Sequence, residues 1–487
     1  MAWQPVPNLL SDRPRFDSAS EAALGRQIAT FIGVGALGIA LGLALTRFDV
    51  LLIIGGVLGI GSTILILLRP YIGLLLYSAV FVIRLGELYP ILATLHLERL
   101  IGALTLVSMF LNQHRIHREL RIDDSRQTRL FCLFILVVAL SVPFAYWRFR
   151  ATNGLVEVLR IGGFYLMVAH LVDSHKRLRW FIYTFLALIA YLCVDSLRGY
   201  FSGGAFLSQG IDRAVGGTSM SNNPNELGTT LASALPLFLL LALSRTEKWR
   251  RGILAALVVC LAIAIVLTGS RASMLGLLAG SIFMWWKTRR RVLTGILGAL
   301  VLVVGFTNMP NQYKTRYSTI AESHLDASSR SRVVTWMAGL RMLADRPLFG
   351  VGIRCYGAAN GSYSHGRSWL EAHSLYFQVL GELGLIGAFA FFSFLLEILR
   401  LNRRTARSLQ GNEWQFERVV LEGVFVGLIT LLVSGVFGHS LLRRTWYVFA
   451  AIALAVMRLH ATQTSAPEAL PPTAHARGAQ RIAMRTT

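Results

Sequence analysis

Long apolar runs dominate the chain, separated by short polar and basic tracts. Candidate membrane spans fall near residues 27–46, 49–68, 70–88, 91–112, 130–147, 154–173, 180–197, 226–244, 252–269, 271–287, 292–308, 374–399, 418–437 and 443–459. Runs of about 17–25 apolar residues are long enough to cross a bilayer. The pattern predicts an all-α, polytopic membrane protein with about 12–14 transmembrane helices, the lower number applying if part of the first four segments are half-spans. The stretch 309–372 breaks this pattern. Within it "RVVTWMAGLRMLADRPLFG" places Val333, Trp336, Met337, Leu340 and Leu343 at one-face helical spacing, and Pro347 stops the helix. Six stretches follow: an N-terminal segment 1–25, a first transmembrane bundle 26–197, core helices with polar loops 198–308, a long loop 309–372, C-terminal transmembrane helices 373–460, and a tail 461–487. The tail is Pro/Ala-rich and polar, a composition expected to be disordered.

Charge adds orientation. The 487 residues are 54% hydrophobic and 15% charged, too apolar for a soluble globular chain, and carry a formal charge of +23. A nucleic-acid partner would need a basic face on a folded domain, whereas here Lys and Arg sit in tracts between apolar runs. Arg115, Arg118, Arg121, Arg126 and Arg129 follow the fourth segment; Lys176, Arg177 and Arg179 the sixth; Lys248, Arg250 and Arg251 the eighth. Lys287, Arg289, Arg290 and Arg291 follow the tenth, and Arg400, Arg403, Arg404 and Arg407 the twelfth. Every tract therefore lies on one side. The positive-inside rule makes that side cytoplasmic, together with both termini. No removable signal peptide is expected in the first 25 residues, which lack a short apolar core. Cys132, Cys193 and Cys260 fall in apolar helices and Cys355 in the long loop, so no disulfide framework is implied.

Chemistry is expected on the other side, where cations are disfavoured. Arg213 lies in "GIDRAVGGTSMSNNPN", Arg271 in the tight turn "TGSRAS", and His373 opens "HSLYFQVLGELGLIGA". Interfacial snorkelling would account for Arg271, a solvated loop charge for Arg213, and a helix cap for His373. The alternative for the two arginines is an anion site, because a guanidinium beside free helix N–H groups suits phosphate. A histidine is the matching general base for a hydroxyl nucleophile. Glu382 lies about 13–14 Å further along the helix from His373 at 1.5 Å per residue, too far to orient it, and is expected to pack against a polar partner in a neighbouring helix. Arg84 with Glu87, and Glu157 with Arg160, read as local neutralising pairs. No metal-ligand spacing and no nucleotide fingerprint is present, so neither a metal nor another cofactor is expected.

"DRAVGGTSMSNNPNELG", "LTGSRASMLGLLAG", "DRPLFGVGIRCYG" and "HSLYFQVLGELGLIGA", in that order over residues 210–390, resemble the O-antigen ligase and polymerase superfamily. "RPYIGLLLYSAVF" is similar to the branch associated with exosortase-type surface systems. The resemblance implies a GT-C-like membrane glycosyltransferase, inverting and metal-independent, at the periplasmic face of the bacterial inner membrane. Its donor would be a glycan on undecaprenyl pyrophosphate, and its acceptor a hydroxyl of lipid A–core or of a growing glycan. Polymerase and protein O-glycosylation ligase are the nearest alternatives. Carried onto this chain, Arg213 and Arg271 would hold the pyrophosphate, His373 would activate the acceptor, and Asn225 would shape the donor pocket. A transporter or flippase is the competing class. Transporters place polar groups near the midplane, whereas these gather on one face.

Overall fold

A computed structural model describes residues 50–83, 96–112, 124–208, 210–218, 221–244, 247–287, 309–318, 327–364 and 369–464, with isolated positions between 291 and 307. The expected span 27–46, most of 292–308, the pair Arg84 and Glu87, the tract Arg115–Arg121, and the terminal segments 1–25 and 465–487 lie outside the described residues. The chain divides into two compact units, residues 1–65 and 66–487. The described part of the first is the start of helix α1 (Val50–Leu68).

The second unit is helical. Its elements are α2 (Pro70–Ile83), α3 (Leu97–Leu111), α4 (Arg126–Ser141), α5 (Arg148–Leu171), α6 (His175–Phe201), α7 (Pro224–Leu243), α8 (Lys248–Leu267) and α9 (Arg271–Lys287). Then come two short helices and one long one in the outer loop, α10 (Asn311–Ser318), α11 (Ala327–Asp345) and α12 (Tyr356–Tyr363). Helices α13 (Leu375–Ser408), α14 (Gln415–Ser434) and α15 (Arg444–Thr464) close the bundle. Among the described residues, seven helices are long and apolar enough to cross a membrane. A two-stranded hairpin, β1 (Phe206–Ser208) with β2 (Ile211–Arg213), is the exception to an all-α fold. The protein is therefore an all-α, multi-pass membrane protein.

Lipid tails are as apolar as Leu, so helices in a membrane gain little from hiding apolar faces and associate through close packing. Helix α14 shows this on both sides. A Cβ on Gly276 or Gly280 of α9 would collide with Ser434 or Thr430, and one on Gly423 or Gly427 would collide with Leu237 or the Ser233 carbonyl of α7. Some polar groups inside the bundle tie helices together: Gln127 donates to Tyr165 Oη and to the Ala450 carbonyl, both at 2.9 Å.

Contacts among the described residues tie basic helix ends to one another and polar-loop ends to one another. His175 at the start of α6 meets Glu417 at the start of α14 (2.8 Å), and Arg126 meets Glu397 (3.5 Å) at that same basic end. At the other end, the Tyr146 amide donates to the Val351 carbonyl (2.7 Å) and the Leu375 amide to the Gly435 carbonyl (2.7 Å).

Two local features position the site. Helix α13 breaks at Gly384, whose φ of 64° is open to glycine and costly for other residues. The groups freed by the break are taken up by the outer loop: the Leu385 amide donates to the Pro347 carbonyl (2.8 Å) and the Gly352 amide to the Glu382 carbonyl (2.8 Å). The break thereby fixes Glu382 under the loop. Helix α11 forms where the periodicity places it, but its packing face differs. Thr335, Ala338, Gly339 and Met342 are buried, while Val333, Met337 and Leu340 are exposed. Small residues let the helix approach closely; a Cβ on Gly339 would sit 2.5 Å from Tyr356 Oη. Helical spacing detects an apolar face without revealing which face the neighbours require.

Candidate active site

The hairpin, the α8–α9 turn and the start of α7 converge. Asn223 caps α7, its side chain accepting from the Asn225 amide at 3.0 Å, with Pro224 in the first helical turn where no N–H is needed. The α8–α9 turn is tight because Gly269 adopts φ 57°, leaving Arg271 as the first residue of α9. Arg213, at the end of β2, donates from Nε to the Thr268 carbonyl (2.6 Å) and from Nη2 to Asn225 Oδ1 (2.7 Å). Arg213 is 2% exposed, so the reading of it as a solvated loop charge does not hold. Burial, followed by the charge of Arg316 and to a smaller extent Arg271, lowers its pKa to about 10, which leaves it charged at neutral pH.

Arg316 was not anticipated from the sequence. It donates from Nε to the Gly269 carbonyl (2.6 Å), while Tyr313 donates to the Asp212 carbonyl (2.5 Å) and Tyr317 to the Val266 carbonyl (3.0 Å). Helix α10 thus clamps hairpin and turn together. Its signal was faint: two tyrosines and an arginine on one face of a short polar stretch.

His373 stands one residue before the cap of α13, in a left-handed backbone conformation with φ 47°. A non-glycine residue held there costs on the order of 1–3 kcal/mol, a strain that recurs at functional sites. Its ring lies edge-to-face on His439, with centroids 5.5 Å apart. His439, also unforeseen, pairs with Glu226 at 3.4 Å. Burial opposes the imidazolium of His439, but the hydrogen bond and charge of Glu226, with Glu371, outweigh it and raise its pKa. Burial, with His439 and Arg332, lowers His373 to about 4. The pair is therefore asymmetric: His373 is neutral at neutral pH with a lone pair available, while the pKa of His439 is shifted upward by Glu226.

Asn225 and Glu226 are consecutive, so one helix N-terminus holds Arg213 on one side and the two histidines on the other. That is how three of the four predicted residues come together; Arg271 joins through the turn that accepts from Arg213. Beside His439 lies a cavity of about 260 Å³ whose lining includes Glu226, Glu371, Glu382, Arg354 and Arg443 but neither His373 nor the Arg213 cluster. Glu382 accepts from the Tyr356 amide (3.4 Å) at the start of α12, a neighbouring helix of the outer loop. Glu157 likewise reaches across elements to Arg354 at 3.0 Å, beyond the local pair expected with Arg160.

Residues 256–392 match the family model described as O-Antigen ligase. The match spans less than a third of the chain, over which the chain is similar to that family. The match covers Arg271, Arg316 and His373 and stops short of His439; Arg213, Asn225 and Glu226 precede it. No curated protein matches the chain. The similarity to that family suggests a membrane glycosyl-transfer enzyme of the ligase or polymerase type.

Proposed function

We propose that the protein is a ligase-type glycosyltransferase that moves a glycan from undecaprenyl pyrophosphate to an acceptor hydroxyl, such as one on lipid A–core, at the periplasmic face of the inner membrane. The reading is carried by one observation: Arg213 is locked by Asn225, whose neighbour Glu226 holds the histidine packed on His373. A phosphate-holding cation and a candidate base are thus braced by adjacent residues of one helix start. The basic tracts at the far end of the bundle favour a cytoplasmic orientation there and a periplasmic one for the site.

In this mechanism Arg213 and Arg271 grip the pyrophosphate. His373 removes the proton from the acceptor hydroxyl as that oxygen bonds to the anomeric carbon. The bond from that carbon to the pyrophosphate oxygen breaks, and the departing charge meets the guanidinium groups, which bind two oxygens in one plane. A base with a pKa near 4 is weak, because efficient proton transfer wants a pKa near the working pH. The arriving pyrophosphate supplies negative charge that offsets Arg332 and His439, raising the basicity of His373 when donor is bound.

His373→Ala in the reconstituted protein should abolish transfer while leaving donor affinity intact. Full transfer by the purified variant would remove His373 from the base role. Deletion in the producing cell then separates the versions: unligated polymer means ligase, and single repeat units mean polymerase.

A further inference from the structure

At the basic end of the bundle, far from the histidines, Phe283 of α9 and Phe425 of α14 stand with ring centroids 5.3 Å apart. Phe283 is half-buried and Phe425 is 7% exposed, so the two rings form a fixed platform. Two cations from different helices lie over it. Lys287 Nζ, at the end of α9, is 5.0 Å from the Phe283 centroid and 5.6 Å from that of Phe425. The Arg403 guanidinium carbon, on α13, is 4.7 Å from Phe425 and 6.0 Å from Phe283. Ring faces attract cations and hold both heads in place, but they carry no net charge. Two like charges therefore share one platform, and the rings do not neutralise them.

The acids of this end are engaged elsewhere. Glu397 pairs with Arg126 (3.5 Å) and Glu417 with His175 (2.8 Å), and Glu422, exposed one turn before Phe425, pairs with neither cation among the described residues. Arg400 and Arg407 stand three residues before and four after Arg403, on the same exposed face of α13, so positive charge is in excess. The depth is that of lipid headgroups. Trp285 and Trp286, immediately before Lys287, are 41% and 66% exposed, and indoles collect at the boundary between acyl chains and water. A ligand here meets cations on one side and aromatic rings on the other. A phosphodiester on a diacylglycerol has both halves; a free phosphate lacks the second.

We propose that Lys287 and Arg403, over the Phe283–Phe425 platform, bind the phosphodiester of an anionic phospholipid in the leaflet at the basic end of the bundle. The phosphate accepts from both cations, while the glycerol and upper acyl carbons lie on the rings. Helices α9 and α13 both pack on α14, and the lipid joins the first two across it. Arg403 and Phe425 lie beyond residues 256–392, so the site reaches past the segment that resembles the family. Helix α9 runs from Arg271 to Lys287, so the lipid braces the far end of the helix that starts at Arg271.

Native mass spectrometry of the full chain in detergent tests this. The probes are dioleoylphosphatidylglycerol, dioleoylphosphatidylcholine and free glycerol phosphate. The first phosphatidylglycerol should bind roughly tenfold more tightly than the first phosphatidylcholine, and Lys287→Gln with Arg403→Gln should bring the two within roughly twofold. The exchange Lys287→Arg with Arg403→Lys keeps both charges and should keep the preference. Lys248→Gln with Arg250→Gln removes as much charge from the same end, Arg250 being stacked on Trp249 instead, and should keep it too. All four positions are exposed, and equal Tm values without added lipid would show that each variant folds. Equal affinity for the two lipids, a preference that survives the first variant, or one lost equally in the Lys248 and Arg250 variant overturns the proposal. Displacement of phosphatidylglycerol by glycerol phosphate at the same concentration does so as well, since it would reveal an anion site indifferent to lipid.

Discussion

The ring of His439 contacts that of His373 and pairs with Glu226, so Glu226 raises the pKa of His439 while His439 lowers that of His373. Removing the cation next door should therefore change the base. His439→Gln deletes a positive charge that lowers His373, so the pKa of His373 should rise from about 4, though burial keeps it below the ordinary value of 6.5. A base must be deprotonated to act, so the acid limb of kcat/KM should move to higher pH in the variant. A pH–rate profile with an unmoved acid limb would show that the two rings are electrically independent.

Asn225 is the acceptor that aims Arg213. Asn225→Ala leaves a buried guanidinium short of one hydrogen bond, a loss of about 1.5–3 kcal/mol for a charged group. Donor binding should weaken roughly tenfold or more. Asn225→Asp keeps the acceptor but sets a negative charge beside the intended pyrophosphate, so it should also weaken the donor, and more so at low salt. Equal donor affinity across all three forms would detach Asn225 from the donor site.

Gly384 should tolerate no side chain. Its φ is 64°, and a Cβ there would lie 2.6 Å from the Leu348 and Pro347 carbonyls, which are backbone and cannot swing aside. Gly384→Ala should cost well over about 1 kcal/mol and shift Glu382 with the loop. Gly252→Ala is the control, since a Cβ there meets nothing within 4 Å. Thermal unfolding in detergent should show a lowered Tm for the first variant and an unchanged or raised Tm for the second; equal Tm values would show the break to be relaxed.

What the sequence made legible follows the range of the interactions. Apolar runs identify spans, because bilayer thickness fixes their length wherever they occur. Arg213, Arg271, Asn225 and His373 stand out through local context: a turn, a cap, a polar loop. His439 does not, since "GVFGHSLLRR" reads as a loop between spans until folding brings Glu226 from over two hundred residues away. Arg316 is hidden for the same reason, its partner being the Gly269 carbonyl. The burial of Arg213 was invisible too, because a polar, glycine-rich neighbourhood looks solvated until hairpin and turn close over it.

Helix α11 carries the last prediction. Val333, Met337 and Leu340 are 43%, 48% and 40% exposed along one face, while the opposite face packs against α13 and the loop helix. An unpartnered apolar stripe would be a liability in water, yet on a multi-pass protein, beside the polar ends of the spans, it suits the boundary between headgroups and acyl chains. The helix should therefore lie on the bilayer surface with these three side chains in lipid. A spin label at Met337→Cys in reconstituted vesicles should be relaxed by oxygen, which concentrates in the acyl region, more than by a water-soluble nickel chelate. Arg341→Cys, exposed one turn further on and held to the Tyr363 carbonyl, should show the reverse order. Dominant relaxation by the chelate at position 337 would place the stripe in water and leave its exposure without a lipid partner.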